Sequence, residues 1–466
     1  MIEMSRFSYV FDLGDDVALY HSLRMKPVFL DKETYAHLKT WIDENDVNEE
    51  NVPENLSDVV PELIKCKILV RSDDEDDRVL RFVRSRIPKP AINVCYMILS
   101  EQCNLACKYC FLGNNDAETR SEFLLESMST ATADKAIDFF IRQIKKSGFD
   151  FKENKPVLIF YGGEPLVNYS VLVHVASRIN EMRDAEPCIK NLEMSMVTNG
   201  LLLNEERLVT LKELGVGIAI SVDGFTDKAN EMRVDVAGNP VFQRILEKLD
   251  LCKRLDIDVS LSVTLSEETL RSTTDVLALL DQYGIKGFGF NIMMSSESFT
   301  LPQSYNEAAA QFIIDEFVEL RKQGIYEDRM MRKLKAFSKA QVYFSDCAAT
   351  AGGQIVIAPN GQVGVCHGCL HNKRDFVSSI DDDGFIAVKD PTFIEWSQLT
   401  PLNREECYDC AALGICGGGC PVNAMTLKPG NTIHSIDERF CVHAKMTLDF
   451  LISDLHRIVV KNRVSR

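Results

Sequence analysis

Between about residues 88 and 338 the sequence switches repeatedly between two periodicities, and that alternation restricts the fold more than anything else in the chain. Stretches 94–99, 157–161, 193–197, 217–222, 259–263 and 287–291 read as strands, while 130–146 and 170–182 carry helical spacing. Repeated strand–helix order implies an α/β fold around a parallel sheet, open or closed as a barrel. Such folds keep their sites at the C-terminal ends of the strands. Polar or glycine-rich motifs follow several of these strands.

Two further segments flank this middle one, which is taken as 87–338. Residues 1–86 read as a small α+β module. Phe7, Tyr9, Phe11 and Leu13 alternate with Ser8, Val10 and Asp12, then Gly14-Asp15-Asp16 signals a turn. Stretches 17–22 and 27–30 read as further strands, and Asp31 is placed to cap a helix bearing Tyr35, Leu38, Trp41 and Ile42 on one face. A helix near 56–64 and a short strand around 68–71 complete the module. The acidic run Asp73-Asp74-Glu75-Asp76-Asp77 reads as a solvated linker. Residues 339–466 hold eight cysteines and little periodicity until a closing helix over 442–459.

Composition narrows the class. Hydrophobic residues make up 45% of the 466 and charged residues 26%, ordinary for a soluble globular protein. No apolar run is long enough for a membrane span. The formal net charge of −17 argues against a nucleic-acid partner. Met1-Ile2-Glu3-Met4-Ser5-Arg6 shows no basic flank leading into an apolar core, so the expectation is a cytoplasmic protein without a signal peptide. Fifteen cysteines in a reducing compartment point to metal or catalysis rather than disulfides.

Eleven of those cysteines fall into two groups. The tighter one, Cys103-x3-Cys107-x2-Cys110, directly follows the first strand of the middle segment. An iron–sulfur cube normally takes four cysteines, so three leave one iron open. A structural zinc site wants a fourth ligand, and none is nearby in sequence. Further along stand Tyr161-Gly162-Gly163-Glu164-Pro165, Thr198-Asn199-Gly200 and Ser221-Val222-Asp223-Gly224, each at a strand end, then Arg233. The two glycines of the first motif permit close backbone approach, expected here to be toward a ligand. On the residues alone, Thr198, Asn199, Ser221 and Asp223 also suit turn capping, and Arg233 a surface ion pair.

The middle segment resembles the radical SAM superfamily, whose hallmark is Cys-x3-Cys-x2-Cys with an aromatic residue, here Tyr109, before the last cysteine. The resemblance implies a partial (β/α)6 barrel. It implies that Cys103, Cys107 and Cys110 hold a [4Fe-4S] cluster whose open iron is chelated by S-adenosyl-L-methionine, cleaved to a 5′-deoxyadenosyl radical that takes hydrogen from substrate. Tyr109 packs beside the cluster, Glu164 meets the methionine amino group with Gly162 and Gly163 letting the backbone come close to the ligand, Thr198, Asn199, Ser221 and Asp223 line the nucleoside site, and Arg233 pairs with the ligand carboxylate. A reductant such as flavodoxin or ferredoxin is implied as a partner.

The last segment reads Cys347-x13-Gly361-x4-Cys366, then Cys407-x2-Cys410-x5-Cys416-x3-Cys420, a gap, and Cys441. This resembles the SPASM extension, which carries two auxiliary clusters and so brings the expected total to three [4Fe-4S]. By that resemblance one auxiliary cluster takes Cys407, Cys410, Cys416 and Cys441. The other takes Cys347, Cys366 and Cys420 and lacks a fourth ligand, for which Cys369 is the candidate. A pair of zinc ribbons is the alternative, since Cys-x2-Cys also suits zinc. Cys66, Cys95, Cys188 and Cys252 are left as core residues. Sulfatase-maturating members place an aspartate right after the cysteine equivalent to Cys366, as a proton acceptor from substrate. Here His367 stands there, suited to act as base or as a donor to cluster sulfur.

Residues 1–86 are similar in pattern to the recognition element of ribosomal-peptide maturases, which binds a precursor's leader as an added strand. A small helical or winged-helix cap without a ligand is the other reading of this segment. The function implied is a peptide maturase that installs a crosslink, with a cysteine thioether of the sactipeptide or ranthipeptide kind as first choice. Alternatives are a formylglycine-forming sulfatase-maturating enzyme, a carbon–carbon crosslinking or epimerising maturase, and an iron–sulfur electron-transfer or scaffold protein. Gly163, Glu164 and Arg233 argue against the last, because an electron carrier has no use for a ligand-chelating edge.

Overall fold

The computed structural model describes residues 2–44, 47–112, 125–271, 276–294, 301–302 and 304–464. Its amino-terminal part opens with β1 (Glu3–Met4), followed by β2 (Ser8–Leu13), β3 (Asp16–His21) and β4 (Val28–Asp31). The last three form an antiparallel meander in the order β2-β3-β4. Gly14, at φ 85°, makes the turn that sets Leu13 against Asp16. The Asp31 carboxylate accepts from the Thr34 N–H at 2.7 Å and so caps α1 (Lys32–Ile42). Then come α2 (Val59–Lys65) and β5 (Leu69–Val70), which pairs antiparallel with β1, a partnership across the whole module. One face of the meander packs Val17, Leu19 and Leu30 on Leu38, Trp41 and Leu63.

The acidic run is not a linker. Residues Asp73–Arg84 form helix α3. Asp76 is buried and accepts from the Ser5 hydroxyl at 2.6 Å and the Arg6 N–H at 2.9 Å. Glu75 is also buried and pairs with Lys67 at 2.5 Å. Acids in the first turn suit a helix N-terminus. Leu80 and Val83, three residues apart, join Phe7, Leu23, Leu402 and Leu413 in a shared apolar cluster.

Among the described residues the central sheet has ten strands. In chain order they are β6 (Val94–Ser100), β7 (Val157–Gly162), β8 (Glu193–Thr198), β9 (Val216–Val222), β10 (Val259–Leu265), β11 (Gly287–Ile292), β12 (Tyr326–Glu327), β13 (Gln354–Ile357), β14 (Gln362–Gly364) and β15 (Phe376–Ser379). Spatially they run β12-β11-β10-β9-β8-β7-β6-β13-β14-β15. From β6 to β12 every neighbouring pair is parallel. The intervening helices include α4 (Thr130–Ser147), α5 (Tyr169–Met182), α6 (Glu205–Glu213), α7 (Phe242–Arg254), α8 (Val276–Tyr283) and α9 (Tyr305–Leu320), with α10 (Asp328–Lys339) after β12. The sheet does not stop at the expected start of the last segment. β13 lies parallel to β6, with Gln354 opposite Val94 and Ile357 opposite Met97. Gly361, at φ 84°, turns β13 into β14, and a Cβ there would sit 2.9 Å from the Ile380 Cδ1.

Burial alternates along the parallel strands. One face, with Leu158, Phe160, Met196, Ile220, Val263 and Phe290, belongs to the main apolar core. The opposite, half-buried face carries Tyr96, Tyr161, Ser195, Ser221, Ser262 and Asn291. Polar residues on that face mark the side on which the sheet serves something other than its core. The chain ends in α11 (Glu438–Val464). With α10 it covers the second face of the meander, where Tyr20 stacks on Phe337 at 6.2 Å between centroids and Ala18 clusters with Leu448 and Ile452. No helix among the described residues is long and apolar enough to cross a membrane.

Candidate active site

The first cysteine loop leaves the C-terminal end of β6 and is pinned by backbone. Ala106 N donates to Val234 O at 2.8 Å and Lys108 N to Met232 O at 3.0 Å. Cys103, Cys107 and Cys110 thereby share one loop and feel one another. Burial pushes the Cys103 thiol up to about 12, against the Leu105 N–H that its sulfur accepts, with Glu164, Cys107 and Cys110 adding to the rise. Cys107 is pushed up to about 11, mainly by burial, while the Arg233 cation pulls it down. Thiols crowded in this way ionise only beside a cation, which bound iron supplies.

The Gly162-Gly163 turn packs on this loop. A Cβ on Gly162, at φ 142°, would lie 2.2 Å from Ser100 O, and one on Gly163 would lie 2.3 Å from Gln102 O. The close approach expected toward a ligand is therefore made to the chain's own backbone. Gly163 N donates to Ser100 O at 2.8 Å and Glu164 N to Gln102 O at 2.9 Å. Glu164 is buried and its Oε1 accepts from the Thr198 hydroxyl at 2.7 Å and Leu166 N at 3.0 Å. Its Oε2 accepts from Asn199 N at 2.8 Å. Burial raises its pKa, and these donors oppose the rise. The Asn199 amide continues the network to Asn104 Oδ1 at 2.8 Å and lies 3.9 Å from the Cys103 sulfur.

A second network joins Tyr109, Asp223 and Arg233. Arg233 donates to Asp223 Oδ1 through Nη2 at 2.7 Å and Nε at 3.1 Å, and to the Tyr109 oxygen at 2.7 Å. The Tyr109 hydroxyl donates to Asp223. Arg233 and Asp223 are buried, so this is no surface pair. Two of the three Arg233 nitrogens are thus engaged by the protein itself. Asp223 Oδ2 is buried without a partner among the described residues. Ser221 sits half-buried on β9, opposite Ser262 of β10.

The structure sorts the downstream cysteines into two further sets. The Cys366 thiol is raised most by its hydrogen bond with Cys369 and next by burial. Burial raises the Cys347 and Cys420 thiols, and Cys366 raises each of them further. In the other set, burial raises Cys441, followed by Cys416, Cys407 and Cys410. Cys407 is raised by burial and then chiefly by Cys416. For Cys347, Cys366 and Cys420, and for Cys407, Cys416 and Cys441, the cysteines acting on the thiol come from its own set. Gly417, Gly418 and Gly419, at φ 77°, 90° and 76°, turn the chain between Cys416 and Cys420, which go to different sets. The triple glycine is visible in sequence, and its separating role was not anticipated. Cys66, Cys95, Cys188 and Cys252 are buried apart.

Among the described residues, no group of three or more His, Cys, Asp or Glu side chains is set to hold a single metal ion. A cube asks for something different, one thiolate at each of several corners, and three sets of three, four and four cysteines fit that demand.

His367 lies between the first loop and the Cys366 set. Its ring stacks on Tyr96 at 4.2 Å and meets Tyr161 edge-on at 4.9 Å and Phe111 at 6.2 Å. Burial pushes it down to about 4, and its Nδ1 has no partner among the described residues. Tyr161 is felt by both Cys110 and Cys366, which places it between the two sets. Neither Tyr96 nor Tyr161 was expected at the site. Their signal was position, since both stand on the half-buried face of adjacent strands.

Residues 97–280 match the Radical SAM superfamily. A radical SAM cyclopropyl synthase, TigE of Paramaledivibacter caminithermalis, is 23% identical across 96% of this chain and 92% of its own. A serine-type anaerobic sulfatase-maturating enzyme of Klebsiella aerogenes is 23% identical across 72% and 81%. Among solved structures, anSMEcpe with bound AdoMet superposes with a TM-score of 0.63 at 18% identity, covering 79% of this chain and 99% of its own. SuiB of Streptococcus suis, bound to its precursor peptide SuiA, gives 0.54 at 14% identity, covering 95% and 100%.

Proposed function

We propose that this enzyme, a member of the radical SAM superfamily, is a peptide maturase that closes an intramolecular bond within a ribosomally made precursor. The observation that carries the reading is the grouping of eleven cysteines into one set of three and two of four, beside strand ends that bear Glu164, Asn199 and Asp223. Cys103, Cys107 and Cys110 hold the cluster that binds S-adenosylmethionine on a partial (β/α)6 barrel. Cys347, Cys366, Cys369 and Cys420 hold a first auxiliary cluster of a SPASM domain, and Cys407, Cys410, Cys416 and Cys441 a second. When bound, the first cluster supplies the electron that cleaves S-adenosylmethionine, and the carbon radical released takes hydrogen from the peptide.

The chain's own groups prepare that site. A carboxylate offers about four acceptor positions. Glu164 uses three on Thr198, Leu166 and Asn199, which leaves one on Oε2 for the ligand ammonium. Arg233 keeps Nη1 for the ligand carboxylate while Asp223 and Tyr109 fix its plane. Ser221 and Asp223 meet the nucleoside. His367 Nδ1 is the atom that either accepts a substrate proton or donates to cluster sulfur. Residues 1–86 hold the leader, added beside β4, which among the described residues has a strand neighbour on one side only.

Two observations favour carbon–carbon closure as the bond formed. With Cys369 in its set, each auxiliary cluster has four protein thiols and no corner left for a substrate thiolate. The relative aligned across 96% of the chain is a cyclopropyl synthase. The cysteine thioether is the second reading. The test is co-expression with a short peptide encoded beside the gene, followed by mass spectrometry before and after thiol alkylation. Loss of two hydrogens with every peptide cysteine still alkylated is the expected result. A blocked cysteine selects the thioether, and formylglycine in a sulfatase-derived peptide selects the rival. Alanine at Cys103, Cys107 and Cys110 together abolishes both modification and release of 5′-deoxyadenosine; persistent release refutes the assignment.

A further inference from the structure

Lys333 is buried in the interior of α10, only 1% exposed. A helix interior at this depth normally takes an apolar residue, and a buried ammonium requires a counter-charge. Among the described residues no carboxylate pairs with it. Its Nζ reaches the carbonyls of Ile415 and Cys416 at 3.4 and 3.3 Å, and stands 5.7 Å from the centre of the Tyr343 ring. Carbonyl dipoles and a ring face orient a cation without neutralising it. The segment it reaches is that of Cys416, one of the four cysteines of the second downstream set.

We propose that Lys333 is the counter-charge of the cluster held by Cys407, Cys410, Cys416 and Cys441 and a positioning residue for its electron affinity. The inference rests on the reading that those four cysteines bind a cube. Four thiolates leave a cube with net negative charge, and one-electron reduction adds to it. A fixed cation held against the backbone of one of its ligands stabilises the reduced form more than the oxidised one. The cluster's potential is then higher with Lys333 than without it, which suits a cluster that accepts the electron released when a substrate radical closes its bond.

The test is an EPR-monitored redox titration of the fully reconstituted protein, wild type against Lys333→Met and Lys333→Arg, with iron counted in each. In Lys333→Met one of the three couples moves down by at least a tenfold loss in reduced-to-oxidised ratio at a given potential, ~59 mV for one electron, while the other two stay. Lys333→Arg keeps the wild-type value, since charge and not shape sets it. An unmoved couple in Lys333→Met at full iron content overturns the proposal. If Lys333→Met loses about four irons instead, thermal unfolding of the cluster-free chains decides. A melting temperature at or above wild type upholds it, because protonated thiols need no counter-charge. A lower one assigns Lys333 to scaffolding and overturns it. Wild type that loads only about eight irons overturns the ligand reading itself, and this inference with it.

Discussion

The carboxylate of Glu164 draws its donors from Leu166, two residues on, and from Thr198 and Asn199 at the end of the next strand. Glu164 was visible because Gly-Gly-Glu-Pro, by itself a weak turn signal, follows a strand downstream of the cysteine loop. What the glycines approach was not visible, since the ledge they meet is the backbone at Ser100–Gln102, some sixty residues upstream. The same holds for Arg233 and Tyr109. Both were singled out, and only folding shows that they share Asp223. Gly163→Ala places a methyl 2.3 Å from Gln102 O and 2.6 Å from Glu101 O, both backbone atoms that cannot swing aside. The loop carrying Cys103 must shift. We expect about 1–3 kcal/mol of destabilisation, the range for overpacking, and at least a tenfold fall in 5′-deoxyadenosine release. Thermal unfolding and product assay on the same reconstituted sample read both.

At the scale of elements, strong periodicity was a good guide and charge was a poor one. The six expected strands of the middle segment are β6 to β11, each within a residue or two at either end. The helix expected over 442–459 is longer, as α11. Helix α3 was missed because five consecutive acids mask Leu80 and Val83, its buried positions near the far end. Glu75 and Asp76 turn inward, and no composition argument separates them from Asp74 and Asp77, which do not. Asp76→Ala strips a buried anion from the Ser5 hydroxyl and the Arg6 N–H. Leaving such donors unpaired costs about 1–3 kcal/mol. Asp74→Ala, which touches only exposed arginines, changes stability by less than about 0.5 kcal/mol. Urea unfolding of the two variants side by side separates these outcomes.

For the whole molecule, the three expected segments are less independent than their sequences suggest. The meander of the first packs one face on its own helices and the other on α10 and α11 of the last two. Nothing in residues 1–86 advertises a second apolar face, because Ala18, Tyr20 and Met25 read as ordinary strand and loop residues. Deleting 1–86 is expected to cut modification of a full-length precursor more than tenfold while peptide-independent cleavage of S-adenosylmethionine continues. Modification undiminished by the deletion rules out leader binding by this module. The deletion bares the partners of Tyr20 on Phe337, so the shortened chain is expected to associate on size-exclusion chromatography.

β6, which delivers the first cysteine loop, lies between β7 and β13, and β13 leads through its hairpin to Cys366. A cut near residue 339 would therefore leave both pieces with an unprotected edge strand, the arrangement most prone to aggregate. The cysteine-rich portion is not a cassette that can be grafted onto another barrel by joining ends. Any chimera must carry β6 and β13 as a matched pair, and the spacing between the first cysteine loop and Cys366 is inherited from a backbone ladder instead of from the docking of separable parts.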